Sequence, residues 1–229
     1  MKIYLWLIVV AFFDAVTVFG QNGETNVIHF YELMNSRSAN KSLELNGSEF
    51  LQPDWLPMKV YMEDGKTFDV PQAKINILGG SVDIMYKGRE MELLMTFVDR
   101  VEVTLNGVLK NIMPIYKIKA KDLPEKGFVE VLGNGEDKVL VRYHKYIAKA
   151  DPNSKILGLD VRPKIMNIEE TFIIKNKVAY ECSSKKDLKK IYKNKYKKLE
   201  ELIELNSIDI KNSISLASLL DMIKDDKDQ

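Results

Sequence analysis

The sequence predicts an α+β protein: an antiparallel β-meander or partly closed sheet over about residues 50–181, then two or three C-terminal helices over about 184–224. Three observations predict it. Short alternating apolar and polar runs recur between glycine-bearing turns from Leu51 to Glu181, the pattern of half-buried antiparallel strands. After Cys182 the apolar spacing changes to that of a helix. The chain has 229 residues and a single cysteine, Cys182, so its core must hold without an internal disulfide.

Residues 1–20 read as a signal peptide. Lys2 precedes an unbroken apolar run, Ile3 to Phe13, and Val18 and Gly20 stand at −3 and −1 of a cleavage before Gln21. The run is too short to span a bilayer comfortably, which takes about 20 apolar residues; an uncleaved membrane anchor is the alternative, and no membrane span is expected after cleavage. Residues 21–49 form a polar N-terminal lead with one apolar cluster, Val27 to Tyr31.

The β-rich region is expected over 50–181. Met58 to Met62 is a strand, Glu63-Asp64-Gly65-Lys66 a turn, and Thr67 to Val70 the return strand, ended by Pro71. Asp-Gly between alternating runs is a hairpin signal, because glycine reaches φ > 0 without steric cost. Ala73 to Leu78 alternates, with Lys74 and Asn76 outward, and Gly79-Gly80 turns the chain. Strands follow at Val82 to Tyr86, Met91 to Met95 and Val98 to Leu105, the last stopped by Asn106-Gly107. A further pair, Gly127 to Leu132 and Lys138 to Ile147, flanks Gly133 to Asp137. Ala150 to Glu170 holds two prolines and no clear period, so it reads as a surface excursion. Thr171 to Ile174 and Val178 to Glu181 close the region as a hairpin.

Residues 182–229 read as a helical region packed on the sheet. Ser183 or Ser184 caps the first helix, with Asp187 in its first turn. Leu188, Ile191, Tyr192, Tyr196, Leu199, Leu202 and Ile203 share one face and lysines the other. Asn194 is a break point. Ser213 caps a last helix carrying Leu216, Leu219, Leu220 and Ile223. Leu199, Leu202, Leu219 and Leu220 are expected to be buried.

A net charge of +1 points to no partner, but its distribution is uneven: Ser183 to Leu199 holds eight lysines against Asp187. Such a block is ordinarily a solvated, salt-bridged face. It lacks the arginines and glycine-rich loops of a nucleic-acid surface, so no nucleic-acid partner is expected.

Chemistry-bearing motifs are few. The two histidines, His29 and His144, lie in apolar or strand contexts, far apart in sequence and without metal-ligand spacing. No GxSxG elbow, P-loop or GxGxxG occurs, so neither a catalytic residue nor a cofactor is expected. Gly133 to Asp137 offers oxygen ligands without calcium-loop spacing, and a hairpin tip explains it. A pair of carboxylates doing glycosidase work needs only two acids at the right separation, which no sequence motif marks. Trp55, Tyr61 and Phe68 are the candidates for an aromatic ligand surface, with core packing as the competing explanation.

The order Phe50-Leu-Gln-Pro-Asp-Trp55, Asp64-Gly65-Lys66-Thr67-Phe68, Ile75-Asn-Ile77, Phe128 to Leu132, the hairpin Phe172 to Tyr180 and lysine-rich helices resembles a set of exported, uncharacterised proteins of Bacteroidetes bacteria. The likeness spans roughly residues 50 to 223. It departs at Leu56-Pro57-Met58, where the pattern has a glycine. The resemblance implies an address, the periplasm or cell exterior of a Gram-negative bacterium, and a β-then-helix layout; it assigns no catalytic residue. The expectation is an exported, non-enzymatic envelope protein that acts through binding or structure, with an envelope protein or glycan as its partner. The alternative is a hydrolase of envelope polysaccharide or peptidoglycan.

Overall fold

The computed structural model describes residues 34–36, 45–149 and 162–225. The leader over 1–20, the cluster at Val27 to Tyr31 and most of the excursion after Ala150 lie outside the described residues. What is described is a sheet-rich α+β fold. Eleven antiparallel strands form one sheet: β1 (Asn35–Ser36), β2 (Leu56–Met62), β3 (Thr67–Asn76), β4 (Ser81–Tyr86), β5 (Arg89–Leu94), β6 (Val98–Leu105), β7 (Val108–Pro114), β8 (Phe128–Leu132), β9 (Lys138–Ala148), β10 (Lys164–Lys175) and β11 (Val178–Glu181). Their order is β1-β5-β4-β3-β2-β6-β7-β8-β9-β10-β11. One meander therefore runs outward from β2 to β5, and β6 returns to the free side of β2 to start a second.

The sheet is open among the described residues, with β1 and β11 at its edges; it is the meander, not a closed barrel. It rolls nonetheless. Asn46 bridges Lys164 at the start of β10, and Phe50 bridges Asn76 at the end of β3. Laid flat, those strands would stand about 29 Å apart at about 4.8 Å per spacing. Four extended residues reach at most about 14 Å. Only a rolled sheet brings both within reach of one short segment.

Turn chemistry punctuates the strands as expected. Asn106 and Gly107 both take positive φ (51° and 77°), the geometry of a two-residue hairpin turn. At Gly65 (φ 83°) the amide donates to Met62 O, which makes the Asp-Gly stretch a hairpin corner.

Several expectations change. Pro71 does not end a strand: β3 runs through it, because the pairing slips from Met58↔Val70 to Leu56↔Ala73. The extra residue on β3 is a bulge, where a missing N–H costs no ladder bond. Asn76 faces away from the core but is buried, its Oδ1 accepting from the Gly79 amide (2.7 Å). Residues 108–114, unassigned from sequence, form β7. The excursion ends at Pro163, and β10 begins at Lys164.

The inward residues of β2 to β9 (Met58, Val60, Ile75, Val82, Val101, Ile112, Phe128 and Val141 among them) make the main core. The tail has α1 (Lys185–Tyr192), a 3-10 turn at Lys193–Lys195, α2 (Tyr196–Leu205) and α3 (Ser213–Asp225). The first two are one helical segment interrupted where Lys193 takes φ 31°, one residue from the expected break at Asn194. The tail is thus two helical segments rather than three. Ser184, not Ser183, caps α1, accepting from the Asp187 amide. Asn212, not Ser213, caps α3: its Oδ1 accepts from the Ile214 and Ser215 amides at 3.0 Å each. Leu199, Leu219 and Leu220 are buried and Leu202 half-buried, in one cluster with Val139 of β9 and Ile173 of β10.

Candidate functional site

The rolled sheet has two unlike ends. At one, α1 to α3 cover the start of β9 and the end of β10. The Gly133 to Asp137 turn, read from sequence as a bare tip, receives them. Asp221 Oδ1 of α3 accepts from the backbone amides of Asn134 (3.0 Å) and Gly135 (2.8 Å). The Tyr192 hydroxyl of α1 donates to Asp137 Oδ2 (2.7 Å). Two acceptors and two amides are consumed by the protein itself, so the turn is a latch.

The opposite end is closed only by loops, and there a groove of about 270 Å³ opens. Its walls are the Ile77 to Gly80 turn, the 3-10 turns Met95–Phe97 and Ile115–Lys117, the loop before β8, and His144 and Lys145 of β9. Met95 and Phe128, both buried, reach it from the core. Tyr116 stands on the rim with 56% of its surface exposed, its hydroxyl donating to Met95 O (3.2 Å). Phe97 is exposed on the neighbouring 3-10 turn. Glu125 and Lys126, both exposed, line the loop wall.

Gly127 fixes that wall. Its φ is +119°, and a Cβ would sit 2.7 Å from Tyr143 O, closer than any side chain tolerates. Only glycine lets the loop lie against β9 here, where Gly127 O accepts from the Ile115 amide (3.1 Å). Burial, then the Arg142 guanidinium, holds the His144 imidazole below its ordinary pKa, with Glu170 opposing. At neutral pH it is an uncharged donor and acceptor. Lys145 Nζ donates to Ser48 O (2.8 Å) and Phe50 O (2.5 Å), pinning the crossing segment; burial lowers its pKa. Burial raises the Tyr116 phenol.

Inside the roll lies one buried polar triad. Lys110 Nζ of β7 is 2.6 Å from Glu130 Oε2 of β8, and the Tyr143 hydroxyl of β9 donates to the same oxygen (2.9 Å). The Glu130 side chain is 3% exposed. Burial, followed by the Glu130 charge, drives the Tyr143 phenol far above its ordinary pKa, so it stays a donor. On the outer surface Lys117 is paired with Glu63 and lies 3.0 Å from Asp99 Oδ1. That hydrogen bond, above all, lowers the Asp99 pKa, with burial opposing.

The sequence-read aromatics do not share one surface. Trp55 and Phe50 hold Lys74 Nζ over their rings at 4.6 and 4.9 Å. Tyr61 lies on the outer face under Arg100 (3.6 Å). Phe68, opposite Val60, packs against the core from the inner face. Cys182 is buried among the tail's apolar residues, and burial pushes its thiol up to about 11, which leaves little nucleophilic thiolate at neutral pH. His29 lies outside the described residues. Among the described residues no group of three or more His, Cys, Asp or Glu is placed to hold a metal ion, and no helix is long and apolar enough to cross a membrane.

Compared with protein-family models, curated proteins and solved structures, the chain matches none.

Proposed function

We propose that the protein is an exported envelope protein that works by binding, and that a short glycan segment of the envelope occupies the groove beside Tyr116. The leader-like residues 1–20 and the resemblance to exported Bacteroidetes proteins support the address. The groove supports the ligand. An exposed aromatic ring, an uncharged imidazole, the Glu125 carboxylate and the ammonium groups of Lys126 and Lys145 line it over an apolar floor. Sugars offer C–H faces for a ring and hydroxyls for donors and acceptors alike, and the lining supplies a ring, donors and an acceptor together. The volume is just under the ~300–1,000 Å³ of typical ligand pockets, which suits one or two sugar rings. A second hollow of about 310 Å³ lies over the β2–β3 bulge, lined by Pro57, Met58, Lys59, Asp69, Val70 and Pro71, without an aromatic ring.

The hydrolase alternative needs a general acid with a raised pKa. Glu63 and Asp99, held together by Lys117, do not supply one: Asp99 is lowered.

The test is titration of the purified protein with chitooligosaccharides and with soluble peptidoglycan fragments, followed by nuclear magnetic resonance, together with an assay for new reducing ends. Saturable binding that Tyr116→Ala weakens at least about tenfold, with the melting temperature lowered by no more than about 4 °C, supports the reading; a ring contact worth about 1.4 kcal/mol gives that factor. New reducing ends would establish the hydrolase instead. Absence of binding to both probes overturns the glycan reading.

A further inference from the structure

The eight lysines between Ser183 and Leu199 are all exposed. Against the single Asp187 they give this stretch a net charge of +7, in a chain whose total is +1. On α1 and the turn after it, Lys185, Lys189 and Lys193 form one row at i, i+4 spacing, and Lys186 and Lys190 a second row beside it. Leu188 and Tyr192, on the other side, are buried in the tail's cluster. The five lysines of α1 and the turn after it thus form one outward face.

That face is not arranged for the helix's own stability. Lys185 and Lys186 occupy the first turn, where the helix dipole disfavours cations. Like charges at i, i+4 repel. The salt-bridged arrangement expected of adjacent opposite blocks is largely absent: Lys190 lies 3.6 Å from Asp187. Lys185, Lys186, Lys193, Lys195 and Lys197 lie within 4 Å of no carboxylate among the described residues. The acids that follow, Glu200, Glu201 and Glu204, are exposed on α2 instead. A local charge excess that opposes folding marks a surface kept for another purpose.

We propose that the lysine face of α1 docks the protein onto an anionic phospholipid surface. Lysines are compact point charges without the planar fork that arginine uses to grip one phosphate bidentately. Spread along a convex helix face, they suit a diffuse sheet of anionic headgroups better than a single bound anion. The apolar side of α1 is already buried in the protein's own core, so attachment is electrostatic adsorption, without insertion. This inference is independent of the groove, which lies at the other end of the roll.

Co-sedimentation of the purified protein with vesicles tests it. Binding is expected to phosphatidylglycerol-containing vesicles and not to pure phosphatidylcholine. It should fall at least about tenfold as ionic strength rises from about 0.05 to about 0.5 M and the Debye length shortens. Changing Lys185, Lys186, Lys189, Lys190 and Lys193 to Gln should weaken binding by at least about tenfold. Changing five exposed lysines elsewhere (Lys119, Lys149, Lys164, Lys177 and Lys211) removes the same total charge and should leave binding within about twofold. Equal losses in the two variants overturn the docking face in favour of a general charge effect. No binding to phosphatidylglycerol vesicles overturns it too, and binding to heparin alone would point to a polyanionic chain as the partner. Circular dichroism melts of both variants confirm that each remains folded.

Discussion

The two ends of the rolled sheet solve the same problem differently. One is closed by helices whose apolar stripes complete a core with Val139 and Ile173. The other is closed by short turns and a crossing segment held through lysine-to-carbonyl bonds from Lys145. A helical cap supplies its own backbone hydrogen bonds and so can be apolar throughout. A loop cap must meet its polar groups locally, which leaves crevices with donors and acceptors at their edges. The difference explains why the helical end is latched shut and the loop end carries the groove.

Between the ends, the triad inside the roll ties the sheet across β7, β8 and β9, and disturbing it should have the largest effect. Lys110→Ala strips the counter-ion from a carboxylate that is 3% exposed. Breaking such a pair costs about 3–5 kcal/mol. Lys110→Met with Glu130→Gln should recover much of that loss, since replacing both charges is often close to neutral. Chemical denaturation of the two variants measures it; equal losses would show that the pair's charge is not what matters.

Truncating the helical cap comes next. Leu219→Ala removes a fully buried side chain and should cost about 2–5 kcal/mol. Tyr116→Ala on the loop end should cost under about 1 kcal/mol, because its ring is mostly exposed and only one hydroxyl bond is lost. If the two cost the same, the ends are not built differently. Deleting everything after Ser183 should lower the melting temperature and expose Val139 and Ile173, giving a chain prone to aggregate.

Smaller again is the latch. Asp221→Ala leaves the amides of Asn134 and Gly135 without their carboxylate. The cost should be about 1–3 kcal/mol where Gly135 is buried, less where water reaches Asn134. Amide exchange at Gly135 should rise in the variant more than at Gly127, which belongs to the other end.

Most of the architecture was legible in the sequence, for stated reasons. The hairpin at Gly65, the turn at Asn106-Gly107 and the helical period after Ser183 follow from local chemistry and spacing. What stayed hidden depended on long-range pairing. The strand over Val108 to Pro114 reads poorly because its pattern is inverted at one point: Leu109 is exposed while Lys110 turns inward to Glu130, 20 residues away. Lys164 to Glu170 failed to show a strand because neither face of that arm is deeply buried, so alternation has nothing to enforce it. The groove was invisible for a similar reason. Tyr116, Glu125, Lys126 and His144 come from three separate segments, and no spacing links them. The Trp55, Tyr61 and Phe68 reading assumed that nearby aromatics share a face, whereas strand alternation puts Tyr61 and Phe68 on opposite sides.

The smallest effect expected is a pH dependence centred on the loop end. His144 has its pKa lowered in the folded protein, by burial first and by Arg142 second. Its unfolded value is near the ordinary ~6.5. Between the two values the unfolded chain binds more protons than the folded one, so stability rises with pH across that window. The contribution is complete above the unfolded value and is lost as pH falls below it toward the folded value. His144→Gln keeps a polar side chain without the titration, so its melting temperature should fall less than the wild type's between about pH 7.5 and about pH 5. His144 lies in the groove wall, so ligand binding there should weaken over the same window if the uncharged imidazole accepts a ligand hydroxyl. A Gln variant whose melting temperature falls as steeply as the wild type's would place the acid sensitivity elsewhere in the molecule, and would leave the loop end no more pH-responsive than the helical cap.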